Sequence, residues 1–192
     1  MGLNYNPQIH HRRSIRLKGY NYGQVGLYFI TICTWHRRQI FGTIEAGEMR
    51  LNALGTIARD EWFHTAQMRP NIDLAEFVVM PNHIHGIIAI VSEMSTDQGR
   101  GTLRRAPTDP TGENQIEAFG KPTSNTIPTI VRGYKAAVTK QINILRDCPG
   151  CPVWQRNYYE HVVRSEADYL RIAAYILDNP RRWHEDSLNR AE

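Results

Sequence analysis

The two histidines of Pro81-Asn82-His83-Ile84-His85-Gly86 stand one residue apart inside an apolar, β-branched run from Phe77 to Val91. Successive side chains of a strand point to opposite faces, so His83 and His85 share one face and Ile84 takes the other. At a rise of about 3.3 Å per residue the two rings are rooted about 7 Å apart, close enough to converge on one metal ion. A pair of satisfied or surface histidines on an edge strand would show the same pattern. A second group of functional side chains stands near the C-terminus, in Tyr175-Ile176-Leu177-Asp178-Asn179-Pro180. Tyr175 and Asn179 are four residues apart and share one helix face. Alone they read as a core tyrosine and an asparagine that ends a helix. Beside a metal site Tyr175 becomes a candidate nucleophile, because a divalent cation both stabilises phenolate and polarises a phosphate. Asn179 could supply an amide-oxygen ligand, and two imidazoles with one amide leave positions open for substrate. Imidazoles favour Mn²⁺, Co²⁺ or Zn²⁺, while substrate phosphates could still recruit Mg²⁺. Tyr134 and the adjacent Tyr158 and Tyr159 are competing phenols.

The chain of 192 residues suits one domain with a real core, and its 41% apolar and 22% charged content is that of an ordinary globular protein. No apolar run approaches the length of a membrane span and the first residues are polar, which points to a cytoplasmic protein without a membrane partner. Three cysteines agree with a reducing compartment. Cys33 reads as a small buried strand residue. Cys148-Pro149-Gly150-Cys151 has metal-like spacing but no second pair to complete four ligands, so it reads as a turn. The net charge is only +4, yet cations cluster in an N-terminal arm that includes Arg12, Arg13, Arg16 and Lys18. Others follow at Arg132, Lys135, Arg156 and Arg164. Such clusters are the electrostatic footprint of polyanion binding.

Strands and helices that could position these groups follow from periodicity. Leu27 to Trp35 reads as a core strand, and Phe41–Glu45 with Glu48–Leu51 as a hairpin about Ala46-Gly47. Ala53 to Met68 carries helical apolar spacing. Leu74–Met80 and Ile84–Val91 are two strands, or one broken at Pro81. Pro128 opens a helix lined by Ile130, Val131, Tyr134, Val138 and Ile142, and Val153 to Val163 has extended character. Ser165 and Asp168 resemble a capping box for a last helix that Pro180 stops. The expected organisation is a basic arm (1–26), one domain (27–183) with a flexible insertion at 92–126, and a tail (184–192). The element order suggests an α+β fold, one antiparallel sheet with helices on one side.

Three stretches in order, Pro81 to Gly86, Val153-Trp154-Gln155-Arg156-Asn157-Tyr158-Tyr159-Glu160-His161, and Tyr175 to Pro180, resemble the REP-associated tyrosine transposases. These form part of the single-tyrosine HUH endonuclease superfamily. Arg12 to Tyr20 and Tyr28 to Thr34 share the resemblance, which spans most of Arg12 to Trp183. It implies a ferredoxin-like (RRM-like) antiparallel sheet of the HUH type, with helices packed on it. It also implies a metal-dependent enzyme that nicks and rejoins single-stranded DNA beside a hairpin repeat through a 5′-phosphotyrosine. Tyr175 would be the nucleophile, His83, His85 and Asn179 the ligands of Mg²⁺ or Mn²⁺, and the arm the holder of the hairpin. Arg132, Lys135, Arg156 and Arg164 would be further DNA contacts, in a monomer or homodimer. The sheet could instead serve an idle DNA- or RNA-binding module. A third possibility is a hydrolase that uses metal-activated water and forms no adduct.

Overall fold

Two strand–helix–strand units interlock to build the sheet. In the computed structural model, residues 21, 23–91 and 125–189 are described. Arg12, Arg13, Arg16 and Lys18 lie outside the described residues, as do positions 92–124 of the expected insertion. The elements are β1 (Gly26–Cys33), β2 (Gly42–Glu45), β3 (Glu48–Leu51), α1 (Ala53–Gln67), β4 (Ile72–Met80), β5 (His83–Ile90), α2 (Ile127–Leu145), β6 (Tyr159–Val163) and α3 (Glu166–Asp178). The main sheet has the order β4-β5-β1-β6 and every neighbouring pair is antiparallel. With α1 joining β1 to β4 and α2 joining β5 to β6, this is the ferredoxin-like interleaving of two split βαβ units.

Local chemistry explains the elements. Asn52 caps α1, its Oδ1 accepting from the amides of Leu54 and Gly55 at 2.9 and 3.0 Å. Between β2 and β3, Ala46 and Gly47 have φ of 51° and 78°, the paired positive values that a tight two-residue hairpin needs. Ser165 caps α3 by accepting from the Asp168 amide at 3.1 Å. The Asp168 carboxylate does not return the bond as a capping box would. It reaches back one residue further, accepting from the Arg164 amide at 3.4 Å, and accepts more closely from His161 Nε2 at 2.8 Å and from Arg171 at 2.6 Å. Of the extended stretch expected from Val153, only Tyr159–Val163 enters the sheet, with Trp154 forming an isolated bridge to Thr34.

Helices cover both faces of the sheet, not one. Tyr28, Ile30 and Ile32 of β1 and Ile84 and Ile88 of β5 join Trp62 of α1 and Ile130, Val138 and Ile142 of α2 in the larger core. Phe29 and Ile87, one residue out of phase, meet Ile172 and Ile176 of α3 on the opposite face. The reason lies in β1, whose residues from Tyr28 to Ile32 are buried on both faces, the pattern of a strand covered from both sides. His83 and His85 are in phase with Ile87 and so face α3.

Gly86 sits at a close approach in the larger core. A Cβ there would collide with the Trp62 ring, which stacks on Phe77 at 4.7 Å between centroids and 9° between planes. Gly86→Ala is therefore expected to destabilise the fold by about 1–3 kcal/mol, measured as a lowered urea midpoint at unchanged slope. An unchanged midpoint would contradict this packing.

Cys148 and Cys151 are joined by a disulfide across the turn that follows α2, with Cα atoms 5.7 Å apart. The segment is a turn as expected, but its two sulfurs are paired rather than idle. Cys33 takes no part in the disulfide and is half-buried. Among the described residues no helix is long and apolar enough to cross a membrane.

Candidate active site

The turn Pro81-Asn82 links β4 to β5, pairing Met80 with His83. Its carbonyls are heavily used: Pro81 O accepts from the amides of Ile40 and Phe41 at 2.9 and 3.1 Å, and Asn82 O from the Thr34 amide and hydroxyl, both at 2.9 Å. The turn thus fixes where β5 begins. β5 is an inner strand, so His83 and His85 are not edge histidines; they are 0% and 2% exposed.

Hydrogen bonds select the form of the His83 ring and hold that of His85 in place. The Asn82 amide nitrogen donates to Arg37 O at 3.1 Å and to Leu188 O at 2.6 Å, which turns its Oδ1 toward His83 Nδ1 at 2.8 Å. Only an Nδ1–H can fill that contact, so His83 presents a bare Nε2. His85 Nδ1 lies 2.8 Å from Thr31 Oγ1, its cross-strand partner on β1. The two Nε2 atoms are 2.9 Å apart. Burial, with His85 and Arg37 adding to it, pushes the pKa of His83 well below the usual imidazole value, and burial lowers that of His85 to about 3. Both rings are therefore neutral at physiological pH and able to offer lone pairs to a cation.

Tyr175 and Asn179 lie at the C-terminal end of α3, brought over the same face of the sheet by Ile172 and Ile176. The Tyr175 hydroxyl lies 3.2 Å from His85 Nε2, within hydrogen-bond distance, and its ring stands 5.1 Å from the His85 ring. Burial raises the Tyr175 phenol above its ordinary pKa, and the Asp186 carboxylate raises it further; a hydrogen bond from Asn179 and the charge of Arg182 act the other way. Asn179 is 4% exposed, and its Oδ1 has no hydrogen-bond partner.

Asp186 completes the group. The chain turns back after Pro180 and brings the Asp186 Oδ2 to 3.7 Å from His83 Nε2, with the side chain only 6% exposed. Ligand atoms of His83, His85 and Asp186 all lie within 4.8 Å of one another. Asp186 Oδ2, like Asn179 Oδ1, is buried without a hydrogen-bond partner. A buried carboxylate beside two neutral imidazoles is costly unless a positive charge joins it. The donor set of two imidazole nitrogens and a carboxylate fits a divalent cation such as Mn²⁺ or Mg²⁺.

The other phenols separate clearly by environment. Tyr134 is 2% exposed in the larger core, edge-on to Trp62, and its hydroxyl donates to Ala58 O at 2.9 Å. Tyr158 is half-buried against the same core. Tyr159 is exposed and faces the cavity beside Tyr175. Trp154 is a core residue, 5.2 Å from Phe41 and 5.8 Å from Tyr134 between ring centroids.

The predicted cations scatter. Arg132 is exposed on α2, across the sheet from the histidines, while Arg156 and Arg164 are exposed around β6. Lys135 turns inward: its Nζ donates to Gln155 O at 2.6 Å and Arg156 O at 3.2 Å, and burial lowers its pKa to about 8. Arg171 and Arg182 border the cavity that Tyr175 shares with Asn179 and Asp186. Asp186, Asn82 and Thr31 are the site residues that sequence reasoning missed. For Thr31 a polar residue in an apolar strand was a readable signal. For Asp186, beyond the helix-ending proline, there was none.

A helix-borne tyrosine set against a paired-histidine strand defines the site. The chain belongs to one family with an uncharacterized protein of Haemophilus influenzae (strain ATCC 51907 / DSM 11121 / KW20 / Rd), 43% identical over 188 residues that cover 98% of each chain. No family model matches it. Its fold is similar to that of a REP-associated tyrosine transposase solved bound to a REP hairpin, with a TM-score of 0.55 and 17% identity over 90% of this chain and 74% of that one.

Proposed function

We propose that this protein is a metal-dependent transesterase that nicks and rejoins single-stranded DNA at hairpin-forming repeats, in the manner of a tyrosine transposase. The observation that carries the reading is the hydroxyl of Tyr175 at 3.2 Å from His85 Nε2, beside two buried oxygens that lack partners. The likeness of fold to a transposase bound to a REP hairpin supports it.

His83, His85, Asp186 and Asn179 would hold the cation, which when bound neutralises charge on a phosphate and favours phenolate. The Tyr175 oxygen then attacks phosphorus, the phosphorus–O3′ bond breaks, and the freed 3′-oxygen takes a proton from solvent. The phenol proton is lost to solvent, to which Tyr175 is 42% exposed. The product is a 5′-phosphotyrosine that conserves the phosphodiester bond energy, so the 3′-hydroxyl can reverse the step without another energy source. Arg171 and Arg182 at the cavity rim would attract the DNA backbone.

The test is incubation of the protein with labelled single-stranded hairpin DNA and Mn²⁺ or Mg²⁺, resolved on a denaturing gel. A metal-dependent protein–DNA adduct is expected. Tight binding with no adduct for any metal would favour an idle binding module, and scission without adduct a hydrolase.

A further inference from the structure

We infer that the cavity beside Tyr175 is a nucleobase slot, which takes one unstacked base of the strand to be cut against Tyr159 and reads its edge with Gln155 and Asn157. The inference rests on the single-stranded nucleic acid reading above and names how that substrate is recognised. The cavity measures about 600 Å³, within the range of sites that hold small planar ligands. Its walls are chiefly apolar and aromatic, with Phe29, Tyr159 and Tyr175 among them. The rings of Tyr159 and Tyr175 each stand edge-on to Phe29, at 6.2 Å between centroids and 69° and 84° between planes. Tyr159 is 53% exposed, although it is a large aromatic on the face of the sheet that carries the histidines. Aromatic faces of this kind accept bases by stacking, whatever the base.

Discrimination between bases needs donors and acceptors held in place, and the chain has them. Gln155 and Asn157 both line the cavity, and neither side-chain amide makes a hydrogen bond among the described residues. Their backbone is nevertheless anchored. The Gln155 amide donates to Cys33 O at 2.9 Å, and the half-buried Lys135 ammonium binds the carbonyls of Gln155 and Arg156. Uncommitted carboxamides on a fixed backbone suit paired hydrogen bonds to a base edge. Tyr175 lines the same cavity, so a base seated there belongs to a nucleotide next to the phosphate under attack.

The experiment is an abasic scan. Hairpin oligonucleotides lacking one base at each successive single-stranded position are titrated with protein in EDTA, so that binding is read without scission. One position is expected to weaken binding by about fivefold or more, and in Tyr159→Leu that sensitivity should vanish while intact DNA binds correspondingly less tightly. Asn157→Ala should keep the sensitive position but flatten the preference among the four bases placed there. A scan that is level at every position, or a sensitive position that survives in full in Tyr159→Leu, would overturn the slot. Because the readout needs neither metal nor cleavage, failure of the adduct assay leaves it standing. Conversely, adduct formation with a level scan removes the slot alone.

Discussion

Tyr175→Phe should abolish the covalent protein–DNA adduct, lowering its rate of formation by about a thousandfold or more, while DNA affinity stays within about twofold. The substitution removes one oxygen from a ring whose other contacts are with Phe29 and His85, so the helix that carries it keeps its seat. It also removes a phenol that burial and Asp186 hold in its protonated form. Tyr134→Phe is the matched control. Its hydroxyl serves Ala58 on α1, in the core across the sheet, and the adduct should form at the wild-type rate despite a stability loss of about 1 kcal/mol. Denaturing gels with both variants decide the point. An adduct that persists in Tyr175→Phe would sink the assignment and turn attention to Tyr159, the other phenol that faces the cavity.

Replacing both His83 and His85 with alanine should remove Mn²⁺ binding and adduct formation together. Losing even a group that only supports a metal ligand commonly weakens metal affinity by about 10–100-fold, so losing two direct donors is expected to exceed that range. Calorimetric titration with Mn²⁺ gives the binding readout independently of DNA. Circular dichroism should stay that of the wild type, because the strand register of β5 is set by Ile84, Ile87 and Ile88 and by the bonded turn at Pro81. If the double variant binds Mn²⁺ as tightly as the wild type, the cation lies elsewhere and the convergence of the two Nε2 atoms is only a hydrogen bond.

The parts of this molecule that follow local rules were legible in the chain. The phase of His83 and His85, the hairpin at Ala46-Gly47, the Ser165 cap and the one-turn separation of Tyr175 and Asn179 all depend on neighbours a few residues away. What escaped sequence reasoning depends on contacts between distant segments. The side of the sheet on which α3 lies is set by Phe29 and Ile87, which had to be seen as a second apolar face of strands already satisfied on the first. Asp186 reaches the histidines only because the chain reverses beyond Pro180 and Asn82 holds the Leu188 carbonyl. Lys135 looked like one more surface cation, yet the carbonyls it binds lie 20 and 21 positions away.

The unequal coverage of the sheet has a dynamic consequence. α3 rests on a small apolar seam made with Phe29 and Ile87, supplemented by the Tyr169 hydroxyl donating to Glu76 at 2.9 Å, whereas α1 and α2 share the extended core. Opening free energies follow how much apolar surface an element buries, so α3 should detach locally at less cost than either of its counterparts. Amide hydrogens of residues 166–178 are accordingly expected to exchange faster than those of 127–145, and equal protection in the two helices would refute this. On that expectation the tyrosine rides on the more readily released helix while both histidines stay embedded in the inner strand. A strand captured by that tyrosine could be carried away from the place where it was cut without disturbing the rest of the fold.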